Sequence, residues 1–144
     1  MSTEKQNLNG ILNRTFKYAK QTAKEFYFKK WAKNPPKCPA FNGEIVHITQ
    51  EGWEHVVKTI RRTKMDVLGR LFVLERAKKL LEQSVAFQDY QEVTNRKYKV
   101  EYWIFYGIVY DVNIKVVVRS IKDGAKHFLS VIRKGSVEKE IKGM

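Results

Sequence analysis

The feature that most constrains the fold of this chain is a change of period near residue 85. Before it, apolar residues recur every three or four positions, which is the spacing of amphipathic helices. After it, runs rich in Val, Ile, Tyr, Phe and Trp span 85–93, 98–110, 112–122 and 126–134. Helices followed by strands predict an α+β fold: an antiparallel four-stranded meander with two to three helices packed on it, plus an N-terminal amphipathic helix.

The first helix is predicted from about Thr15 to Lys33, where apolar residues at helical spacing alternate with lysines. The following Asn34-Pro35-Pro36 ends it, because proline cannot continue a helix and restricts the residue before it. We interpret residues 1–40 as a basic helical appendage with a proline-rich linker, and residues 41–144 as the main domain. The apolar positions of the helix are Phe16, Ala19, Ala23, Phe26, Tyr27 and Trp31.

Residues 44–62 predict a short strand followed by a helix. The strand is EIVHIT at 44–49, and Thr49 is a suitable N-cap for a helix over Glu51–Arg62. One stripe of this helix is apolar, and the opposite stripe is basic and contains a histidine. The apolar stripe holds Trp53, Val56, Val57 and Ile60, and the opposite one holds His55, Lys58, Thr59 and Arg62.

A third helix is predicted to begin after a cap at Asp66 and to end near Gln83. Its apolar arc includes Arg70. Burying an unpaired charge is prohibitively unfavourable, so a guanidinium at this position is usually paired or faces a cleft. Arg70 is therefore either structural, in a buried ion pair or as a snorkelling side chain, or an anion-binding group, and the helix pattern leaves both roles open.

The chain is strongly basic. Its 144 residues hold 28 Lys and Arg against 15 Asp and Glu, which gives a formal net charge of +13. Residues 1–43 are the most basic third, with nine basic and two acidic side chains. Such a charge favours a polyanionic partner, namely nucleic acid, an anionic membrane surface or an acidic protein, although it can also serve solubility alone.

Several motif classes are absent from the sequence. There is one cysteine, Cys38, no run of about 18 apolar residues and no signal-peptide pattern, so we expect a cytoplasmic protein that is not embedded in a membrane. The chain has no HExxH, no zinc-ligand spacing and no glycine-rich phosphate loop. We therefore expect neither a metal nor another cofactor.

Asp123-Gly124 is a strong signal for a two-residue hairpin turn, and it fixes a register for the last two strands. In that register Arg119 lies opposite Phe128, and one sheet face gathers Lys115, Val117, Arg119, Lys126, Phe128 and Ser130. This face is either a phosphate-binding surface with an apolar floor or an ordinary solvated face. His127 falls on the opposite, core-side parity, so we expect it to be structural.

The strand before this hairpin carries tyrosines at every fourth position, at 98, 102, 106 and 110. They share one parity, and the length of the turn at residues 111–113 decides which face they occupy. Exposed tyrosines beside a basic surface could stack on bases, whereas aromatic residues of central strands usually belong to the core. The sequence leaves the face of Tyr102 and Tyr106 open.

The order of these elements resembles a known group of proteins. It runs from a strand to a helix with GWEHV, a helix with RLFVLERA, and a meander ending in VVVRS and KHFLSV. This arrangement over about 41–133 is similar to the phage- and toxin-associated members of the barnase, EndoU, colicin and RelE superfamily of ribonucleases. The resemblance implies a compact α+β fold that cleaves RNA without a metal on one face of its sheet.

The resemblance also implies site residues. Position by position, it assigns catalytic roles to His55 in GWEHV, Arg119 in VVVRS, and Lys126 and Ser130 in KHFLSV. Basic residues on the two helices would hold the RNA backbone: Lys58, Arg62 and Arg70. The implied partners are RNA and an acidic antitoxin or immunity protein.

The implied reaction is attack of a ribose 2′-hydroxyl on the adjacent phosphorus, which gives a 2′,3′-cyclic phosphate and a 5′-hydroxyl. His55 would act as general base or acid, and Arg119 and Lys126 would stabilise the developing charge. Two other functions fit the same sequence. The chain could be a non-catalytic basic module that binds nucleic acid, or an interaction protein that docks an acidic partner through its N-terminal helix.

Overall fold

The helices precede the sheet along the chain, as the change of period predicts. A computed structural model describes residues 3–58, 62–94 and 97–134, with side chains from residue 10 onward. Thr59 and Ile60, assigned above to opposite stripes of one helix, lie outside the described residues. The helices are α1 (Thr3–Glu25), α2 (Gln50–Val57), α3 (Lys64–Phe72) and α4 (Leu74–Gln83). The strands are β1 (Lys37–Cys38), β2 (Glu44–Ile45), β3 (Asp89–Thr94), β4 (Lys99–Val109), β5 (Val112–Ile121) and β6 (His127–Arg133).

The predicted α+β fold with an antiparallel meander is confirmed. The main sheet has the order β3-β4-β5-β6, with every neighbouring pair antiparallel. A second, two-stranded sheet pairs β1 with β2. The predicted strand at 44–49 is therefore shorter than expected, although His47 still forms an isolated parallel bridge to His127 at the edge of β6. Among the described residues, no helix is long and apolar enough to cross a membrane.

The end of the N-terminal helix is part of the core. α1 continues into a π-helical turn at Phe26–Trp31, whose Tyr27 and Trp31 are fully buried. The ring of Tyr27 lies 5.6 Å from that of Trp53 on α2, and the ring of Trp31 lies 4.8 Å from that of Phe128 on β6. The interpretation of this helix as an appendage is therefore wrong for its second half, while the domain division at residue 40 stays a prediction.

Helix α2 begins at its predicted cap but ends at Val57 rather than near Arg62, because the backbone of Lys58 leaves the helical conformation (φ −59°, ψ 125°). The start of α3 also differs from the prediction. Thr49 caps α2 as predicted, because its Oγ1 accepts a hydrogen bond from the Gly52 amide at 3.1 Å. The cap predicted at Asp66 is wrong: Thr63 Oγ1 accepts from the Asp66 amide, so Asp66 lies inside α3. The single predicted helix is also two helices, since it bends at Val73, where φ is −103° and ψ is 4°.

The two hairpins of the sheet both turn through residues with positive φ. Tyr110 (49°) and Asp111 (62°) link β4 to β5, and Lys122 (55°) and Asp123 (58°) link β5 to β6. This pattern is that of a type I′ turn, which matches the right-handed twist of the strands. The second turn is centred one residue earlier than Asp123-Gly124 predicts, because the Gly124 amide donates to the Ile121 carbonyl.

A β-bulge in β6 changes the predicted register. Val117 lies opposite Ser130 and Lys115 opposite Ile132, as predicted, but Val118 lies opposite Phe128, so Leu129 has no partner. Beyond the bulge the alternation of faces is reversed. Phe128 consequently enters the core, and Arg119 lies opposite His127 rather than Phe128. The predictions of the faces of Phe128 and His127 are both wrong for this reason.

The chain offers a matched pair of helical glycines that tests the packing of α2. A Cβ at Gly52 would lie 2.6 Å from the Phe128 carbonyl oxygen and 2.6 Å from the Tyr27 hydroxyl, whereas a Cβ at Gly69 in α3 meets nothing within 4 Å. We expect Gly52→Ala to lower the free energy of unfolding by about 1–3 kcal/mol through overpacking. Gly69→Ala should raise it by about 0.5–1 kcal/mol through helix propensity. Urea unfolding measures both, and equal effects would contradict the close packing of α2.

Candidate active site

The two faces of the main sheet differ in character. One face packs against the helices and carries Trp103, Phe105, Val116 and Val118, which are all buried. We call the other the site face. Its cross-strand rows place Tyr102 opposite Arg119 and Arg119 opposite His127. The same face carries Ile104, Tyr106, Lys115, Val117, Ser130 and Ile132.

Arg119 is the centre of a hydrogen-bonded group on the site face. Its Nη2 donates to Oε1 of Glu51, the second residue of α2, and its Nε donates to Nε2 of His127 at 3.2 Å. A guanidinium has no acceptor, so this contact requires an unprotonated Nε2 and hence a neutral imidazole on His127. Arg119 is 15% exposed and Glu51 is 60% exposed. Arg119 thus joins the start of α2 to strands β5 and β6.

His55 lies one helical turn after Glu51, on the same side of α2. Residues four apart on a helix are neighbours, and both are close enough to Arg119 for its charge to affect them. The imidazole of His55 is half-buried. We call Glu51, His55, Arg119 and His127 the site cluster.

The electrostatic surroundings give the site cluster defined charges. The hydrogen bond from Arg119 holds the pKa of Glu51 below its usual value. Burial lowers the pKa of His55, and the nearby cations Arg62, Arg70, Lys58 and Arg119 lower it further. The pKa of His127 is also lowered, first by burial and then by Arg119, while Glu51 opposes that shift. At neutral pH the cluster therefore holds one carboxylate, one guanidinium and two neutral imidazoles.

Arg70 is a buried residue beneath the cluster. It is 8% exposed, and its Nη1 lies 3.2 Å from Ser130 Oγ and 3.3 Å from the Val131 carbonyl oxygen. Its Nε lies 3.6 Å from Oδ1 of Asp66, whose side chain is 46% exposed, so the guanidinium is buried and paired, while its role in anion binding stays a prediction. Ser130 is 5% exposed. Both residues support the site from the interior, and their predicted contacts with RNA stay predictions.

Lys58 is the C-cap of α2, and the side chain of Arg62, which follows the helix in the chain, contacts the same end. Nη1 of Arg62 donates to the carbonyl of His55 at 2.6 Å and to that of Val56 at 3.3 Å. The guanidinium thereby satisfies the last carbonyls of the helix that carries His55. Lys58 is exposed at the C-cap. Binding of RNA by Arg62 and Lys58 stays a prediction.

Lys126 does not lie in the site cluster. Its ammonium pairs with Glu44 at 2.7 Å and lies about 5 Å from the ring centres of Phe41 (5.0 Å) and Trp103 (4.9 Å). Trp103 belongs to the core face, so the prediction that Lys126 shares a face with Arg119 is wrong. The physical reason is the β-bulge, which puts His127 rather than Lys126 on the site face.

Two members of the cluster were not among the predicted site residues. Glu51 was assigned only to the start of a helix, although it precedes His55 by one helical turn, and that spacing could have identified it. His127 was assigned to the core side, because a bulge at Leu129 leaves no clear mark in the sequence. Both are now placed by contacts with Arg119.

Neither a group of metal-binding side chains nor a similar known protein identifies the function of the site cluster. In the part of the chain that the structure describes, no three or more His, Cys, Asp and Glu side chains are grouped so that they could hold a metal ion. No protein-family model, curated protein or solved structure matches the chain. The function must therefore be inferred from the site cluster itself.

The charge state of the cluster can be tested by NMR titration. We expect the imidazole resonances of His55 and His127 to titrate below the ordinary histidine pKa of 6.5. Arg119→Gln should raise both pKa values, because removing a nearby positive charge makes protonation easier. Lys115→Gln is the control, since it removes a cation from the same face of the same strand outside the cluster. Equal shifts in the two variants would contradict the cluster.

Proposed function

We propose that this chain is a metal-independent endoribonuclease that cleaves RNA through a 2′,3′-cyclic phosphate. One observation carries the proposal: Arg119 is hydrogen-bonded to Glu51 and His127, with His55 one turn away on the same side of α2. The cluster combines a cation suited to a phosphate with groups that can move protons near neutral pH. The resemblance to the barnase, EndoU, colicin and RelE superfamily supports the same reaction.

In the first half of the reaction, the 2′-oxygen attacks phosphorus while its proton passes to a base. His55 suits this role, because its lowered pKa keeps the imidazole neutral and able to accept a proton at neutral pH. Arg119 faces the phosphoryl oxygens as negative charge develops on them. Such a charge-stabilising contact is typically worth about 2.7–4 kcal/mol in a water-excluded site.

In the second half, the bond from phosphorus to the 5′-oxygen breaks, and that oxygen takes up a proton. His127 is suited to supply it. In the free protein its Nε2 accepts from Arg119, which keeps the imidazole neutral. When Arg119 turns to the phosphate, Nε2 is released beside a negative charge, so His127 takes up a proton from solvent and then gives it to the 5′-oxygen, while the proton on His55 returns to solvent. Glu51 then orients Arg119 rather than acting on RNA.

The biological setting of this activity is also a proposal. We propose a toxin-like ribonuclease whose protein partner is an acidic antitoxin or immunity protein, supported by the net charge of +13. A cytoplasmic location is supported by the single cysteine, Cys38, which is a buried free thiol.

A non-catalytic RNA-binding module is the second candidate. The observation that favours it is that two of the four predicted catalytic residues are not available at the site: Ser130 is buried and Lys126 lies outside the cluster. In that case the cations of the site face bind phosphates and the two imidazoles are incidental. The two candidates differ in whether RNA is cut.

The decisive experiment is incubation of the purified, folded protein with single-stranded RNA in EDTA. The ribonuclease predicts fragments that carry a 2′,3′-cyclic phosphate and a 5′-hydroxyl, which mass spectrometry identifies. Substrate with 2′-deoxyribose at the cleaved position should be resistant, because it lacks the nucleophile. Intact RNA bound by folded protein would instead support the binding module.

Substitutions in the cluster then test the assigned roles. We expect His55→Ala to lower kcat about 10²- to 10⁴-fold through loss of proton transfer. Arg119→Ala should lower it about 10²- to 10³-fold through loss of charge stabilisation. The matched control is Glu54→Ala, since Glu54 is an exposed residue of the same helix whose side chain accepts a hydrogen bond from Gln50 rather than from the site cluster. Full activity in both cluster variants would overturn the site assignment.

A further inference from the structure

The site face extends beyond the cluster as a strip of tyrosines and lysines. Tyr106 lies opposite Lys115 in the register and is 39% exposed. The ammonium groups of two lysines lie near its ring centre, that of Lys115 at 6.0 Å and that of Lys134 at 5.7 Å. Neither lysine forms a salt bridge with an acidic residue in the described part of the chain. These two cations are thus available to an anion beside an exposed aromatic ring.

The strip is continuous with the site cluster. Tyr102 lies directly opposite Arg119, and Tyr106 is four residues further along β4, which corresponds to about 13 Å. Between them Ile104 and Val117 form an apolar floor. The register places one acidic residue of the sheet on this face, Asp89 on the edge strand β3, and Glu51 of α2 lies at the other end of the strip.

We propose that Tyr106, Lys115 and Lys134 form a subsite for an unpaired nucleobase and its flanking phosphate in single-stranded RNA. The base stacks on the Tyr106 ring, and one or both ammonium groups move to the phosphate. The strand then crosses Tyr102 and brings the next phosphates to Arg119. That this strand is RNA rests on the proposed function, whereas the stacking itself does not.

The chemistry of the strip selects this ligand. An aromatic side chain stacks on a base only when the face of that base is free, which excludes the interior of a duplex. Cations that flank the ring fit the alternation of bases and phosphates along one strand. An acidic peptide would use the lysines but would make little use of the two tyrosines.

The test measures binding of a fluorescent single-stranded oligonucleotide with 2′-O-methyl groups at every position. This probe lacks the nucleophile, so its binding is independent of cleavage. Tyr106→Ala should weaken binding about 5- to 150-fold by fluorescence anisotropy, and Tyr106→Phe should stay within about twofold of the original protein. The matched control is Tyr90→Ala, because Tyr90 is 40% exposed but lies on the opposite face, beside Trp103.

Salt dependence separates the lysines from the tyrosine. Lys115→Gln should reduce the slope of log Kd against log salt concentration by about 0.7, the value for one phosphate contact of a single strand. Tyr106→Ala should leave that slope unchanged. The same sequence in a fully paired duplex should bind more weakly and should be insensitive to Tyr106→Ala.

The outcomes distinguish the subsite from the nuclease. Binding that depends on Tyr106 in a protein that fails to cut RNA supports the subsite and overturns the nuclease. Equal loss of affinity in Tyr106→Ala and Tyr90→Ala, or unchanged affinity in Tyr106→Ala, overturns the subsite even if RNA is cut. Failure of the folded protein to bind the probe at low salt also overturns it and would favour an acidic protein as occupant of the strip.

Discussion

The β-bulge at Leu129 determines how the core and the site cluster share one strand. Strictly alternating residues would send Phe128 and Arg119 to the same face. With one extra residue, Phe128 turns into the core, where its ring packs against Trp31 and Tyr27, and the preceding His127 turns to Arg119. Two neighbouring residues thus serve the aromatic core and the proposed chemistry. Bulges are often found where a sheet must redirect a side chain, and this one lies beside the candidate site.

The position of helix α2 also depends on its packing against β6. Gly52 allows the helix to approach β6 so closely that a Cβ at this position would meet the Phe128 carbonyl oxygen, and Tyr27 donates a 2.6 Å hydrogen bond to the Thr49 carbonyl at the start of the helix. The aromatic core therefore fixes both the distance and the rotation of α2. Because Glu51 lies immediately before Gly52 in this closely packed turn, its carboxylate reaches Arg119. Packing in the core, rather than loop geometry, positions the cluster.

The sequence predicted the structure correctly where periodicity and capping within a short stretch of chain decide it. The change of period predicted the α+β meander, and Thr49 was correctly identified as a helix cap, because both depend on short stretches of chain. The faces of β6 were predicted correctly at Ser130 and wrongly at His127, since the bulge lies between them. A bulge has no strong propensity signal, and its effect reaches every residue beyond it. Contacts between distant segments, such as Glu51 with Arg119, were likewise outside the reach of pattern and spacing.

The distribution of charge connects the cluster with the tyrosine strip. Arg62, Arg70 and Arg119 surround His55, and each favours its neutral form, so the cationic surroundings that would attract RNA also prepare the imidazole to accept a proton. A bound phosphate reverses this balance locally, because its negative charge offsets those cations. Along the strip, Lys115 and Lys134 can exchange contact with the Tyr106 ring for contact with phosphate. Binding of the polyanion would therefore alter protonation in the cluster by the same electrostatic attraction that holds the strand, which links affinity on the strip to proton transfer at His55 and His127.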